Sequence, residues 1–438
     1  MKHLTLDFTK ERGNIKPMHG VNNGPLTEDF SQDASPWFQE AHIPFSRLHD
    51  TEYPFGNGEF VDIDCLFKNW NADENDPANY NFALTDEYLK AIAACGTKII
   101  YRLGSSMEHQ KIKVHVNPPK DNLKWARVCE HIIRHYNEGW ADGLCLGIEY
   151  WEIWNEPEEP GQWTGEYQEF YRFFADVATY LKEKFPHLKI GSPALCSYGD
   201  DYFVPAFYTA ITWEGMHVPM DFIAWHCYSR DVETLVKREE IVRRVMEKYG
   251  YGDAESICDE WNYARDWKNM DETYHLIDSM VGTAHTAAVM CAMQKTSCDI
   301  LAYYDAQMRM EHYWNGLFAR GKAGVHGAAA VVSPKKTYYV FKAFGELYEL
   351  GTEIESEIED GTVYVCGAKS EEHRAVLISN FRDEGCPNEK VRVSVQGEPD
   401  AVFDVYRLSK RYSLEKTGTV KNGGVLSVAA NTVVLLRG

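Results

Sequence analysis

Two acidic residues in this chain stand where an apolar run breaks off. Glu149-Tyr-Trp-Glu-Ile-Trp-Asn155-Glu156-Pro157 reads as a buried strand that empties an amide and a carboxylate into a loop, with the proline stopping the strand and fixing the turn. Ser256-Ile-Cys-Asp-Glu260-Trp-Asn-Tyr ends in the same way, its acid flanked by aromatics. A pair of carboxyls brought to one place can divide the labour of cleaving a glycosidic bond. One gives a proton to the departing oxygen while the other, ionised, meets the charge developing on carbon. Two like residues must then hold unlike pKa values. Burial near aromatics or near another negative charge raises one, and donors such as Tyr228 or Arg47 keep the other ionised. Carboxyls about 5–5.5 Å apart leave no room for water between sugar and base and imply a covalent, retaining route.

The elements that must deliver these acids follow from periodicity. Gly20-Val-Asn-Asn-Gly24 reads as a strand end opening into a loop, and Ile43 to Asp50 as a strand whose alternation puts Arg47 and His49 on one face. Strands follow at Lys98-Ile-Ile-Tyr-Arg102, at the run before Glu156, at Leu188–Leu195, at Met220–Tyr228, at the run before Glu260 and at Asp299–Tyr304. Helical patterns lie between them, at Thr85–Cys95, Leu123–His135, Glu169–Phe185, Asp200–Trp213, Val232–Tyr249 and Ser279–Lys295. This alternation of about eight strands and helices is the rhythm of a (β/α)₈ TIM barrel. Glu156 and Glu260 lie three strand–helix units of about 35 residues apart, so they close strands four and seven and face each other across the mouth. The segment Thr51–Tyr80, rich in Asp, Asn, Gly and aromatics, is long for a connection and reads as a functional loop over that mouth.

After the helix Lys335–Leu350 the pattern changes. Short alternating runs at Thr362–Gly367, Arg374–Ser379, Val391–Val395 and Thr432–Leu436, divided by Gly, Asn, Asp and Pro, predict a small antiparallel β-sandwich. The organisation is therefore an α/β chain with a catalytic barrel over residues 15–350 and an accessory sandwich over 351–438, completed by an N-terminal strand within 1–14. The sandwich is a candidate subunit interface, and a homo-oligomer is one arrangement it permits.

Composition narrows the partners. A formal net charge of −21 repels nucleic acid and anionic membrane surfaces, and no basic patch offsets it. No run of about twenty apolar residues occurs, and charges interrupt any signal-peptide core at the N-terminus, so the expected location is the cytoplasm. Eleven cysteines without a Cys-x-x-Cys pair read as reduced thiols. His131 and His135 are four apart on a helix, but nothing acidic completes a zinc pattern, so neither a metal nor a cofactor is expected.

Trp154-Asn155-Glu156-Pro157 resembles the acid/base motif of the retaining glycoside hydrolases built on (β/α)₈ barrels, and Asp259-Glu260-Trp261-Asn262 is similar to their strand-seven nucleophile motif. Arg47 on strand two and the pair His226-x-Tyr228 on strand six fit the same clan. Over nearly its whole length the chain looks most like family 39 glycoside hydrolases, whose β-xylosidases and α-L-iduronidases carry a barrel followed by a β-sandwich. The resemblance implies that Glu156 is the acid/base, that Glu260 is the nucleophile and that Asn155 holds the sugar 2-hydroxyl. The β-xylosidases carry a His-Gly run after the strand-two Arg, where this chain has Leu48-His49-Asp50.

Each residue also has a plainer reading. Glu156 could be a surface acid beside a turn and Glu260 a salt-bridge partner; their matched spacing argues for catalysis. Asp259 competes with Glu260, but alternation sends neighbours to opposite faces. Arg47 could hold the barrel mouth together while orienting Glu260, and His226 and Tyr228 could be a satisfied core pair. Asn22, His49 and His109 are strand-end polar groups that could bind substrate or merely cap and bind water. Trp261, Trp314 and Tyr304 could floor a sugar site, although aromatics so placed are more often core. The expected function is a retaining exo-glycosidase on oligosaccharides, a β-xylosidase first, with β-galactoside, β-glucoside, α-L-arabinoside or uronide as alternatives. A uronide would need added cations, for which Arg102 and Arg309 are the candidates. A metal-assisted lyase or isomerase would need more acids at the strand ends and a lysine. A non-catalytic sugar-binding barrel would not need both glutamates.

Overall fold

A computed structural model describes residues 1–51, 60–200, 202–308, 313–321, 331–359 and 361–438. Eight parallel strands close into a barrel: β1 (Gly20–Asn22), β2 (Phe45–Leu48), β3 (Lys98–Leu103), β4 (Tyr150–Ile153), β5 (Lys189–Gly191), β6 (Phe222–Tyr228), β7 (Glu255–Asn262) and β8 (Ile300–Tyr303). The circle is completed by pairing of β1 with both β2 and β8. Helices with amphipathic spacing, among them Asn122–Glu138, Tyr167–Lys184 and Val232–Lys248, bury their apolar faces against it. The expected helix over Asp200–Trp213 is shorter, at Phe203–Ile211. The expected strand over Leu188–Leu195 keeps only Lys189–Gly191, with Leu195 rejoining the barrel as a single bridge to Trp225.

Inside the barrel the lowest layer is apolar. Phe45, Ile100, Tyr150, Phe222, Ala224, Ile257 and Ile300 pack together there. Phe222 fills the centre because its neighbour on β5 is Gly191, where an added Cβ would fall 2.0 Å from the Phe222 ring. This plug closes the bottom and leaves chemistry to the top, as in other barrels of this kind.

Nine of the remaining strands form one sheet, and the short strands Phe318–Ala319 and Ser333–Pro334 pair with each other apart from it. Lys2–Asn14 enters it between Thr352–Ile358, to which it is antiparallel, and Glu389–Val395, to which it runs parallel. That parallel pair departs from the purely antiparallel arrangement expected; every other neighbouring pair is antiparallel. Although the order is continuous, Phe8 stacks on Phe403 from a strand five places away, with ring centroids 6.0 Å apart. The sheet therefore curls over its own apolar face, which gathers Leu4, Leu6, Val365, Val376, Phe403 and Leu436. Its outer face lies on helices Met280–Gln294 and Tyr338–Leu350, where Ser379 donates to the Ala284 carbonyl at 2.7 Å. Asp383 at the sheet rim accepts from Tyr263 and, at 2.8 Å, from Arg265 Nη2, both just beyond β7.

Candidate active site

Two residues above the apolar layer, the same strands turn polar. Arg47 follows Phe45, Arg102 follows Ile100, Glu152 follows Tyr150, His226 follows Ala224 and Asp259 follows Ile257, all essentially without solvent exposure. A buried charge is tolerated only when paired and hydrogen-bonded. Arg47 supplies the pairing. Its Nη2 meets Glu152 Oε1 at 2.5 Å and Asn155 Oδ1 at 2.6 Å, its Nε meets Asp259 Oδ2 at 2.9 Å, and its Nη1 meets Glu260 Oε1 at 2.7 Å. Burial opposes the guanidinium charge, but Asp259, Glu152 and Glu260 outweigh it and lift the Arg47 pKa well above its usual range.

Both Asp259 and Glu260 reach this arginine, which strict alternation does not allow. The expectation that they take opposite faces is corrected by a bulge. Trp225 pairs with Cys258 but His226 pairs with Glu260, so Asp259 is an extra residue on β7. A bulge sets two residues against one and re-aims the side chains beside it. Asp259 thereby becomes a fixed counter-charge. Burial pushes its carboxyl up, but Arg47, a hydrogen bond with Glu152 and His226 hold it well below the usual carboxylate range. Glu152 moves the other way, raised by burial and by the Asp259 charge against the pull of Arg47.

Glu260 is held by two donors, Arg47 on Oε1 and the Tyr228 hydroxyl on Oε2, each at 2.7 Å. Burial raises its carboxyl, His226 and Arg47 draw it back, and the Glu156 charge adds to the rise. Opposite, Glu156 keeps a more open side chain, 13% exposed, and is touched by His226 Nδ1 at 2.5 Å. The same ring lies 3.5 Å from Glu260 Oε2, and its Nε2 lies 3.4 Å from Asp259. Burial alone would discharge His226, but Glu260, Glu156 and Asp259 outweigh it and raise its pKa well above the ordinary imidazole value. A carboxylate oxygen of Glu156, a ring nitrogen of His226 and a carboxylate oxygen of Glu260 all lie within 4.8 Å of one another. Metal ions accept such spacing, yet both Glu260 oxygens are already engaged by Arg47 and Tyr228, which suits a nucleophile better than a ligand.

The backbone around Glu156 is bent to present it. Trp154, Glu156 and Ala194 have φ of 72°, 39° and 51°. Non-glycine residues hold such left-handed conformations at a cost of about 1–3 kcal/mol each, and they cluster where geometry serves a site. Trp154 turns outward against Trp125, Trp163 and Phe173, which frees Asn155 to face in. With Asn155 Oδ1 taken by Arg47, its Nδ2 is buried without a partner among the described residues, a donor set for a ligand hydroxyl.

His49 lies 3.7 Å from Glu260 Oε1 and 3.3 Å from Asp50, with burial keeping it neutral. Tyr228 packs on Trp314 at 4.8 Å, Trp267 at 5.6 Å and Tyr304 at 6.4 Å, and Tyr304 donates to Asp50 at 2.9 Å. These rings form one aromatic wall running from Glu260 outward to the exposed Trp267. Asn262 braces it by donating to the carbonyls of Tyr304 and Trp314 at 2.6 and 2.9 Å.

Three expected residues stand elsewhere. Trp261 points away from the mouth and packs on Tyr303 and His285 beneath the helical layer, because it follows Glu260 on the strand. Asn22 sits under the site with its amide spent, donating to the carbonyls of Asp259 and Ala302 and accepting from Arg47. His109 is exposed on the segment after β3, whose neighbouring Glu108 is occupied by the backbone N–H groups of Val114, His115 and Val116. Arg309 lies outside the described residues. Arg102 is neutralised by Asp62 at 2.6 Å. Glu152 escaped the sequence reading, although an acid in the middle of a buried apolar run is itself a signal.

The chain is similar in sequence and fold to known proteins. Curated β-xylosidases from Geobacillus stearothermophilus and Caldicellulosiruptor saccharolyticus are 22% identical over 357 residues and 24% identical over 336 residues. Each match covers 71% of this chain, and 66% and 62% of the respective relatives, so the chain spans about two thirds of the length of the curated relatives it matches. A solved glucosidase from Croceicoccus marinus shares the fold with a TM-score of 0.77 at 20% identity, over 100% of this chain and 98% of that one. The profile of glycosyl hydrolases family 39 matches residues 60–406, most of the sequence, and the chain belongs to that family.

Proposed function

We propose that the protein is a retaining exo-glycosidase that removes a terminal β-xylose from short oligosaccharides. The observation that carries the mechanism is that one carboxylate oxygen of Glu156 lies within 4.8 Å of one carboxylate oxygen of Glu260, with His226 between them. Inverting enzymes hold their carboxyls about 6.5–9.5 Å apart to admit a water, and retaining ones about 5–5.5 Å. Glu260 attacks the anomeric carbon while Glu156 protonates the departing oxygen, leaving the sugar esterified to Glu260. Glu156 then takes a proton from water, which displaces Glu260 and releases the sugar with its original anomeric configuration. Asn155 Nδ2 donates to the hydroxyl beside the anomeric carbon, and the wall of Tyr228, Tyr304 and Trp314 flanks the ring. The xyloside assignment is supported by the two curated relatives. Eleven free cysteines suit a reducing compartment, in keeping with a cytoplasmic enzyme fed by short oligosaccharides.

The test is release of nitrophenol from β-xyloside, β-galactoside, β-glucoside, α-L-arabinoside and α-L-iduronide by the wild type and Glu260→Ala. Turnover of the β-xyloside that falls by on the order of 10⁴-fold or more in the variant is expected. Preference for another sugar would overturn the xyloside, and an undiminished rate in Glu260→Ala would overturn the nucleophile.

A further inference from the structure

The end of β4 carries three acids in close succession, and the reaction above uses only Glu156. Glu158 reaches across to the loop that follows β5. Its Oε1 accepts from the backbone N–H of Cys196 at 2.7 Å, the backbone N–H of Ser197 at 3.0 Å and the Ser197 hydroxyl at 3.0 Å. In return, the Glu156 N–H donates to the carbonyls of Pro193 and Ala194 at 3.1 and 3.2 Å. The β5 loop is itself pinned to β6, because the Leu195 carbonyl accepts from the His226 N–H at 3.1 Å and the Leu195 N–H donates to Ala224 at 3.3 Å. Arg238 fixes its far side through the Cys196 carbonyl at 2.8 Å.

These contacts close a circuit. It runs from Glu156 through Glu158 to the β5 loop, on to His226 and back to Glu156 through the 2.5 Å contact with His226 Nδ1. Glu158 thus adds a second tie between the left-handed turn at Glu156 and the β5 loop, beside the Glu156 N–H on the Pro193 and Ala194 carbonyls. We propose that Glu158 is a positioning residue for the acid/base, holding Glu156 and His226 in their mutual geometry through the loop after β5. The inference rests on the reading of Glu156 as acid/base.

A second feature gives the brace a pH signature. Glu158 Oε2 is shielded from solvent and has no partner among the described residues, so one oxygen is anchored while the other can carry a proton. Burial and then the Glu156 charge push this carboxyl up to about 7, against the hydrogen bonds from Ser197. The groups facing it are Glu156 on its own loop, Cys196 on the β5 loop, and Tyr167, Tyr171 and Tyr198 around the rim.

The experiment compares Glu158→Ala, Glu158→Gln and Glu156→Ala with the wild type on aryl β-xylosides whose leaving groups range from dinitrophenol to phenol. A misplaced acid costs most where the leaving oxygen needs protonation. Glu158→Ala is expected to lose about 10- to 100-fold in kcat/KM, which reports the glycosylation step alone, on the phenyl glycoside and less than about 3-fold on the dinitrophenyl glycoside. Glu158→Gln keeps an acceptor for Cys196 and Ser197. It should restore most of the phenyl-glycoside rate while changing the pH profile near neutrality. Rates unchanged in Glu158→Ala, or a loss equal for all leaving groups, would overturn the proposal. Should Glu158→Ala fail to fold, Ser197→Ala removes one donor of the brace, and a leaving-group-dependent loss there is required. Glu156→Ala separates the two claims: if it too shows no dependence on the leaving group, the acid/base reading itself fails.

Discussion

Two layers of the same barrel, two residues apart on shared strands, have opposite chemistry. The lower holds Phe45, Ile100, Tyr150, Ala224 and Ile257 in apolar contact. The upper holds Arg47, Arg102, Glu152, His226 and Asp259, equally buried. Burying charge where apolar side chains would fit is seldom the cheaper choice for stability. The lower layer therefore accounts for cohesion of the barrel, and the upper layer for orientation of Glu156 and Glu260. Arg47 makes the distinction concrete, since it joins Glu152, Asn155, Asp259 and Glu260, which come from β4, the loop after it and β7.

Substitutions in the two layers should separate these roles. Arg47→Met strands several buried carboxyls and unseats Glu260. Activity should fall about 10²–10³-fold or more, with about 3–5 kcal/mol of stability lost, as read by steady-state rates and denaturant melts. Ile257→Ala, two residues below Asp259, should cost about 2–5 kcal/mol in the same melts while the folded fraction keeps kcat within a few-fold. Equal loss of kcat in both variants would erase the distinction between the layers.

The upper layer should also leave a mark on stability against pH. His226 has a folded pKa above its unfolded 6.5, so its contribution is full below that value and is lost as pH rises through the folded pKa. Asp259 has a folded pKa below its unfolded 3.8, so its contribution is present above that value and is lost only as pH falls through the folded pKa. Thermal melts from neutrality upward should show a decline in Tm for the wild type that is flattened in His226→Gln. Identical slopes would mean that His226 is not the bridging cation.

Much of this arrangement was legible in the sequence. The strand–helix rhythm placed Glu156 and Glu260 at the ends of β4 and β7, and alternation put Arg47 and His49 on one face. The failures share one physical origin, since alternation and strand ends say where a side chain starts but not what it meets. The bulge at Asp259 inverts the face of one residue and has no local sequence mark. Trp261 looked like a sugar platform because an aromatic beside an acid is ambiguous until the helical layer over it is known. Asn22 had the right position, but its amide was consumed by Arg47 and two carbonyls. The parallel entry of Lys2–Asn14 into the sheet depends on pairing between the two ends of the chain, which no local pattern encodes.

The central claim is that Glu156 and Glu260 work as a close pair through a covalent sugar ester. Proton magnetic resonance of the first-formed sugar during turnover of a β-glycoside tests it most directly. The β-anomer is expected first, with the α-anomer growing in only by later mutarotation. An α-anomer at the earliest times would mean that a water enters between sugar and Glu260, and the paired-carboxylate account would be wrong.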